Sequence, residues 1–284
     1  MVTIGLLLPF FLLIQAPNPG PLLVVGGGAV PMEVYTTAVR LTGIEKPRVA
    51  VVPFASARET AGAAAQSKWL EAKAGECLIL DDGEPEKAKL ALEQAHIIWL
   101  GGGAQTQLVE RLRQANLLEL IRSRHQSGVV VAGTSAGAAA MSVKMMTGKA
   151  ELDAILPQST ELVEGIGLWP QVIVDQHFHR RGRFNRLLAA VLDHPESVGV
   201  GIDENTAVLV RGNQLEVIGK SSVLVLDARE VKDRQTEKDR PAAGRHLKLH
   251  LIAAGMTFSL SPPEVLEKNV HNPQTQPTRK PEPK

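Results

Sequence analysis

An apolar strand runs directly into a helix of small residues at Val129-Val130-Val131-Ala132-Gly133-Thr134-Ser135-Ala136-Gly137-Ala138-Ala139-Ala140-Met141. Ser135 lies at the junction, within the pattern Gly133-x-Ser135-x-Gly137. A nucleophilic serine on such a turn needs glycine neighbours, because the turn is strained and because the strand and the helix pack closely. The backbone N–H of Ala136 would then face a developing oxyanion from a helix N-terminus. The segment predicts a nucleophile at Ser135, the alternative being a serine that only caps the helix.

Similar apolar runs alternate with amphipathic stretches along the body of the protein. Val/Ile/Leu runs separated by helical patterns are typical of a parallel sheet covered on both faces, and the closely spaced strands near the C-terminus indicate antiparallel pairing. The predicted fold class is α/β: a doubly wound, mostly parallel sheet sandwiched by helices, with a β-rich C-terminal part. The predicted strands are Leu22–Val25, Arg48–Pro53, Cys77–Leu80, Ile97–Leu100, Val129–Ala132, Val172–Asp175, Val198–Ile202, Thr206–Arg211, Gln214–Gly219, Ser222–Leu226 and His246–Ala253, and the predicted helices are Glu59–Ala74, Glu84–Ala95, Gln105–Gln126 and Phe184–Asp193.

The two ends of the sequence differ from its body. The apolar run from Ile4 to Ile14 is too short to span a bilayer, but it suits the core of a secretory signal, with an N-terminal strand or a mis-assigned start codon as alternatives. We expect a signal segment and Pro-rich linker over 1–21, a single α/β hydrolytic domain over 22–260, and a Pro-rich disordered tail over 261–284. A signal would place the protein in the periplasm or outside the cell, and otherwise we expect it in the cytoplasm, without a stable membrane anchor.

The composition excludes several classes of function. The 284 residues include 31 Lys+Arg and 30 Asp+Glu, so the protein lacks the basic surplus of a nucleic-acid clamp. Aromatic residues make up 4%, too few for a platform that stacks single-stranded nucleic acid. Cys77 is the only cysteine, which excludes an intrachain disulfide and a thiolate zinc site. Because Cys77 lies in an apolar run, we predict a buried strand thiol and not a nucleophile.

A nucleophilic serine needs a general base, and the base needs a carboxylate behind it. His177 follows one predicted strand, and Asp203 and Glu204 follow another. Ligands of α/β sheets gather beyond the carboxyl ends of the strands, so Ser135, His177 and either Asp203 or Glu204 are expected to converge there. The sequence order Ser…His…acid differs from the Ser…acid…His order of α/β-hydrolases.

A cluster of arginines follows the candidate base. Arginines in the first turn of a helix oppose the helix macrodipole, so this arrangement is locally unfavourable. Its position beside His177 therefore predicts a carboxylate-binding purpose, with a solvated basic face as the alternative. The cluster consists of Arg180, Arg181, Arg183 and Arg186.

No metal or organic cofactor is predicted. Asp175, His177 and His179 alternate on one strand face, as metal ligands can, but no further ligand group has motif spacing. The glycines at Gly26–Gly28 lack the third glycine of a dinucleotide fingerprint. The glycines at Gly101–Gly103 end another strand and are expected to bring backbone N–H groups close to a substrate carbonyl.

Together these motifs resemble the cyanophycinase family of serine peptidases, which also includes aspartyl dipeptidase. The resemblance extends from about Leu22 to Leu260 and implies a class I glutamine-amidotransferase-like α/β sandwich. The segment Met141–Gly165 departs from the family pattern and is expected to form the outer wall of the pocket. The motifs that carry the resemblance are Gly133–Ala138, Asp175–Phe178, Arg181-x-Arg183 with Arg186, and Gly201–Ala207.

The resemblance implies a role for each candidate residue. Ser135 would be the nucleophile, His177 the base and Glu204 the acid, with the N–H groups of Gly103 and Ala136 as the oxyanion hole. The implied substrate is cyanophycin, a poly-aspartate with an arginine on the side chain of each aspartate, which is cut to β-Asp-Arg dipeptides by a homodimer. Alternatives are a dipeptidase for short Asp-containing peptides and a catalytically silent binding protein. The implied substrate pocket comprises Gln105, Asp175, Gln176, Arg181, Arg183 and Arg186.

Overall fold

The computed structural model describes residues 18–238 and 240–260. Residues 1–17 of the predicted signal segment and linker, and the predicted tail, lie outside the described residues, whereas Gly20 of the predicted linker is buried and its N–H donates to His125 O at 2.7 Å. In sequence order the elements are β1 (Leu22–Val25), α1 (Met32–Leu41), β2 (Val49–Val52), α2 (Ala61–Glu71), β3 (Cys77–Ile79), α3 (Pro85–Gln94), β4 (Ile97–Leu100), α4 (Gln105–Gln114), α5 (Leu118–Gln126), β5 (Val130–Thr134), α6 (Ala136–Ala139), β6 (Lys144–Ala150), β7 (Thr160–Glu164), β8 (Val172–Gln176), α7 (Phe184–Asp193), β9 (Val198–Ile202), β10 (Thr206–Arg211), β11 (Gln214–Gly219), β12 (Ser222–Asp227), β13 (Lys232–Gln235), β14 (Ala243–Arg245), β15 (Lys248–Ala253) and β16 (Thr257–Ser259).

The main sheet has eight strands in the order β16-β11-β10-β1-β5-β4-β2-β3. Strands β1 to β5 are mutually parallel, whereas β10, β11 and β16 pair antiparallel. Every residue of β1, β2 and β4 is buried, as expected when helices cover both faces. Tyr35 of α1 and Trp69 of α2 pack on one face, and Leu92 of α3, Leu108 of α4 and Ile121 of α5 pack on the other. The predicted α/β class with a β-rich C-terminal part is confirmed.

A second sheet carries the strands that precede His177 and Glu204. Its order is β15-β12-β9-β8, with β8 and β9 parallel and the other pairs antiparallel. Helix α7 packs on one face of this sheet through Leu187 and Val191. Backbone hydrogen bonds join it to the end of β1, since His177 N–H donates to Gly26 O at 2.7 Å. The candidate site therefore lies where two sheets meet.

The structure corrects two expectations about local elements. The predicted helix Gln105–Gln126 is two helices, because Asn116 has a φ of 56° and left-handed backbone ends α4. The segment Met141–Gly165 contains the antiparallel hairpin β6–β7, which the strand predictions omitted. The predictions also omitted helix α1 and the short strands β13, β14 and β16. Cys77 is buried, as predicted. Within residues 18–238 and 240–260, no helix combines the length and the apolar character needed to cross a membrane.

Candidate active site

Ser135 sits on a sharp turn between β5 and α6. Its backbone is in an uncommon conformation, with φ 51° and ψ −110°, which costs of order 1–3 kcal/mol for a residue other than glycine. The flanking glycines permit close packing of the turn: a Cβ on Gly137 would lie 2.6 Å from the carbonyl carbon of Leu100, and one on Gly133 would lie 2.9 Å from Gly137. The sequence context that predicted a strand–turn–helix unit is thus present in the fold.

A continuous hydrogen-bond relay begins at Ser135. Its Oγ lies 2.9 Å from His177 Nε2, and His177 Nδ1 lies 2.6 Å from Glu204 Oε1. The carboxylate fixes the tautomer, because Nδ1–H donates to Glu204 and leaves Nε2 to accept the Ser135 proton. Asp203, the other candidate acid, instead accepts hydrogen bonds from Arg180 N–H at 3.2 Å and Ser221 Oγ–H at 3.0 Å. Of the two adjacent carboxylates, Glu204 is therefore the one beside His177.

The environment of His177 favours a neutral imidazole. Burial lowers the pKa of His177, and the positive charges of Arg181 and Arg183 lower it further, against the opposing effect of Glu204. Since only the neutral ring can accept a proton from Ser135, the shift extends the pH range in which this ring can act as a base.

Asp175 anchors the arginines that follow the base. Its side chain is fully buried and forms a bidentate pair with Arg186, in which Nε donates to Oδ2 at 2.7 Å and Nη2 donates to Oδ1. Arg183 Nη1 donates to the Gln176 carbonyl at 2.6 Å and lies 3.4 Å from Asp175 Oδ1. One carboxylate thus faces two buried guanidinium groups, and Arg181 lies exposed nearby.

Burial and the excess of positive charge around Asp175 affect the pKa of Arg183. Burial lowers its pKa to about 10, and the neighbouring Arg186 and Arg181 charges add to the shift, against the opposing effect of Asp175. A buried cation whose positive charge is only partly compensated is stabilised when an anion binds beside it. The arrangement suits a substrate that carries carboxylates.

The two amides of the predicted oxyanion hole belong to residues that lie close to Ser135 in the sequence or through the neighbouring Gly102. Ala136 follows Ser135 and is the first residue of α6. Gly102 lies just beyond the end of β4, and a Cβ on it would lie 3.5 Å from Ser135 Cβ. Gly103 comes next, with a φ of 144° that favours glycine. Within the described residues, the amides of Gly103 and Ala136 donate no hydrogen bond to another residue, which leaves them available to a ligand.

Comparison with known proteins identifies the family at this point. The sequence profile of peptidase family S51 matches residues 22–218. The chain belongs to this family. It is a serine-type peptidase, and it is 36% identical to a cyanophycinase of Nostoc sp. over 253 residues, which span 84% of this chain and 85% of the relative. A peptidase E of Actinobacillus pleuropneumoniae is 28% identical over 62% of this chain and 77% of its own length.

A solved structure supports the fold of this S51 peptidase. The crystal structure of a peptidase from an acI-B1 Actinobacterium superposes with a TM-score of 0.61 at 23% sequence identity, over 88% of this chain and all of the other. At this level of identity the similarity establishes the architecture alone.

The residues considered as metal ligands have other partners in this S51 peptidase. Asp175 binds the arginines, His177 lies in the relay, and the exposed His179 lies 3.5 Å from Ser222 Oγ. Among the described residues, no cluster of three or more His, Cys, Asp or Glu side chains is arranged to hold a metal ion.

Gln105 and Arg186 both contact the hairpin β6–β7. The buried Gln105 donates from Nε2 to the Met146 carbonyl at 2.8 Å. Thr160 Oγ1–H, from the second strand of the hairpin, donates to the Arg186 carbonyl at 3.0 Å. The segment that departs from the family pattern therefore contacts two of the predicted pocket residues.

Sequence reasoning missed the support for the base. In this S51 peptidase a Cβ on Gly27 would lie 2.5 Å from His177 Nε2, so the imidazole packs directly on the backbone of Gly27. Asn205 holds the glycine segment, because its N–H donates to Gly27 O at 2.9 Å and its Oδ1 accepts from Ala29 N–H at 2.8 Å. The signal was present in three consecutive glycines at a strand end, which permit a side chain to approach the backbone closely.

Proposed function

We propose that the protein is an exopeptidase that hydrolyses cyanophycin to β-Asp-Arg dipeptides, with Ser135, His177 and Glu204 as its catalytic triad. The observation that carries the proposal is the relay of 2.9 Å and 2.6 Å from Ser135 Oγ through His177 to Glu204. The distances and the order of groups are those that acyl transfer by serine needs.

The reaction would proceed by acyl transfer. His177 Nε2 takes the Ser135 proton as Oγ attacks an aspartate backbone carbonyl, and Glu204 stabilises the resulting imidazolium. The N–H groups of Ala136 and Gly103 stabilise the oxyanion. The leaving amine then takes the proton from His177, and water attacks the acyl-enzyme with His177 as the base, which releases the acid product and restores Ser135.

The charges in the pocket favour cyanophycin as the substrate. Cyanophycin presents a free arginine carboxylate on every repeat, and the exposed Arg181 and the undercompensated Arg183 offer cations to such a group. Gln105 and Gln176 would supply neutral hydrogen bonds in the same pocket. In this proposal Arg186 acts through Asp175, since its own side chain is 3% exposed and cannot reach a ligand without leaving that partner.

The test is a product assay. Wild type is incubated with insoluble cyanophycin and, separately, with α-Asp dipeptides, beside Ser135→Ala and the exposed-serine control Ser127→Ala. We expect wild type and the control to release β-Asp-Arg, and Ser135→Ala to release none.

Three results would change the proposal. Activity that survives Ser135→Ala and disappears with a chelator would replace the serine mechanism by a metal-dependent one. Cleavage of α-Asp dipeptides without polymer turnover would favour the dipeptidase alternative, towards which the peptidase E relative points. Turnover of neither substrate would favour a silent binding protein. The implied homodimer stays a prediction, checked by light scattering.

A further inference from the structure

A cavity opens on the face of the main sheet that α1 and α2 cover, and it shares no lining residue with the arginine cluster. Its volume is about 300 Å³, within the range of small-ligand pockets. Gly28, Gly102 and Thr134 are among its lining residues, and they come from the segments that carry or contact Glu204 and Ser135. The cavity therefore adjoins the candidate active site, yet none of the predicted substrate-binding residues lines it.

The lining of this cavity is mostly apolar. Tyr35 and Trp99 form part of the wall, and Lys68 is the charged side chain among the lining residues that the structure describes. Lys68 Nζ lies 2.7 Å from Glu71 Oε2, and both side chains are more than half exposed. Such a surface pair contributes only about 0–1 kcal/mol, so Lys68 can exchange Glu71 for another carboxylate at little cost.

Tyr35 supplies a second polar group to the same region. The residue is 4% exposed, and its hydroxyl has no hydrogen-bond partner among the described residues. Burial and the charge of Glu71 raise the pKa of Tyr35 to about 12, so the hydroxyl remains a donor. The Tyr35 and Lys68 side chains both line the cavity, and Glu71 acts on both. A ligand carboxylate would replace the Glu71 carboxylate on Lys68 and accept a hydrogen bond from the Tyr35 hydroxyl.

We propose that this cavity is a subsite for the arginyl group of the repeat unit across the scissile bond, with Lys68 and Tyr35 binding the carboxylate of that arginine. The inference rests on the proposed function. In an extended peptide, successive side chains point in opposite directions, so two adjacent repeats cannot both enter the Arg181–Arg183 side. One arginyl group would occupy that side and the other this cavity, with its methylene stem against the apolar wall.

The experiment compares kcat/KM on a peptide of two β-Asp-Arg units with kcat/KM on three derivatives. Two of the derivatives carry one arginine carboxylate as the amide, in either unit, and the third carries the C-terminal carboxylate of the aspartate backbone as the amide. For wild type, we expect kcat/KM to fall about tenfold when the arginine carboxylate that binds this subsite is replaced by the amide. For Lys68→Gln, kcat/KM on the parent peptide should be about tenfold lower than for wild type. In this variant, kcat/KM should not fall further on the derivative with that same amide. Tyr35→Phe should show a smaller change in the same direction.

Matched variants separate a subsite from a general perturbation. Ala64→Leu adds bulk to the cavity, whereas Ala63→Leu makes the same change at an exposed neighbour on α2 that does not line it. Lys87→Gln removes a lysine from an equivalent surface pair with Glu84 elsewhere. We expect Ala64→Leu to lower kcat/KM at least tenfold and both controls to match wild type.

Each outcome decides the question. If wild type cleaves the parent peptide but Lys68→Gln and Ala64→Leu behave like their controls, the subsite is overturned and the proposed function stands. If Lys68→Gln abolishes the effect of the C-terminal amide and leaves the effect of both arginine amides unchanged, the assignment to an arginyl group is overturned. If wild type cleaves neither this peptide nor cyanophycin, the proposed function and the subsite fall together.

Discussion

The imidazole of His177 rests on the backbone of Gly27, so closely that a Cβ at that position would lie 2.5 Å from Nε2. The contact joins the end of β1 in the main sheet to the end of β8 in the second sheet. It restricts the ring to the plane in which Nε2 meets Ser135 and Nδ1 meets Glu204. The geometry of the relay thus depends on the packing of two sheets as well as on its own three side chains.

Gly27→Ala is expected to lower kcat about 100-fold, because a displaced base costs about that much in a well-oriented reaction. Gly43→Ala is the control, since Gly43 also has a positive φ, 65°, but a Cβ there meets nothing within 4 Å. Steady-state kinetics and circular dichroism check the result. Activity of Gly27→Ala at the control level would show that the contact does not hold the base.

Asn205 is expected to position the catalytic relay through the glycine segment. Its φ is 57°, which glycine tolerates, so Asn205→Gly removes the acceptor for Ala29 N–H without backbone strain. We expect a tenfold or larger loss of kcat, in order of magnitude, from the loosened base. Asn205→Asp keeps the acceptor and should recover most of kcat, while its new negative charge near His177 raises the pKa of the base. A pH–rate profile that is unchanged in Asn205→Asp would contradict this role.

Glu204→Gln is expected to reduce kcat by about 10³- to 10⁴-fold, because a neutral amide can neither fix the required tautomer nor stabilise the imidazolium. Asp203→Asn is the matched variant, since Asp203 bonds Arg180 and Ser221 instead of His177. Its activity should stay within about tenfold of wild type. Equal losses in the two variants would remove the distinction between these adjacent carboxylates.

The pH dependence of Ser135 reactivity should report the pKa of His177. Burial and the neighbouring arginines lower that pKa, so the nucleophile loses reactivity only as the pH falls below the ordinary range of histidine. Removing a positive charge raises the pKa, and Arg181→Gln should therefore move the acid limb to higher pH. Arg180→Gln is the control, because Arg180 is not among the charges that act on His177.

The rate of inactivation by an organophosphorus reagent across pH measures this shift without involving substrate binding. An acid limb that moves equally in the two arginine variants, or in neither, would contradict the assigned electrostatics.

Arg186→Met is expected to destabilise the fold by about 3–5 kcal/mol, because it leaves the buried Asp175 without its bidentate partner. Arg113→Met breaks exposed surface pairs with Glu110 and Glu164 and should cost about 1 kcal/mol at most. Urea unfolding measures both. In the double variant with Asp175→Asn, part of the loss should return, since the unpaired charge is gone. A cost for Arg186→Met no larger than that of the surface control would show that the buried pair contributes little.

Local patterns in the sequence were sufficient for much of the architecture. The bounds of β1, β4, β9 and α7 coincide with the prediction, because continuous apolar runs and a strongly amphipathic helix leave few alternatives. The split between α4 and α5 was missed, since Asn116 has to adopt left-handed backbone and the surrounding apolar pattern continues across it. The hairpin β6–β7 has mixed polarity, which gave no clear period.

The sequence by itself determined the strand–turn–helix context of Ser135 and placed His177 and two carboxylates at strand ends. The residues alone left the acid open between Asp203 and Glu204, and the family resemblance implied Glu204. Only the tertiary structure shows the contact of Glu204 with His177, the inward turn of Arg186 to Asp175 and the support of the base by Gly27. The physical reason is the same in each case. Neighbouring residues at a strand end can point in different directions, and their direction depends on how the second sheet packs against the first, which is a contact between residues far apart in the sequence.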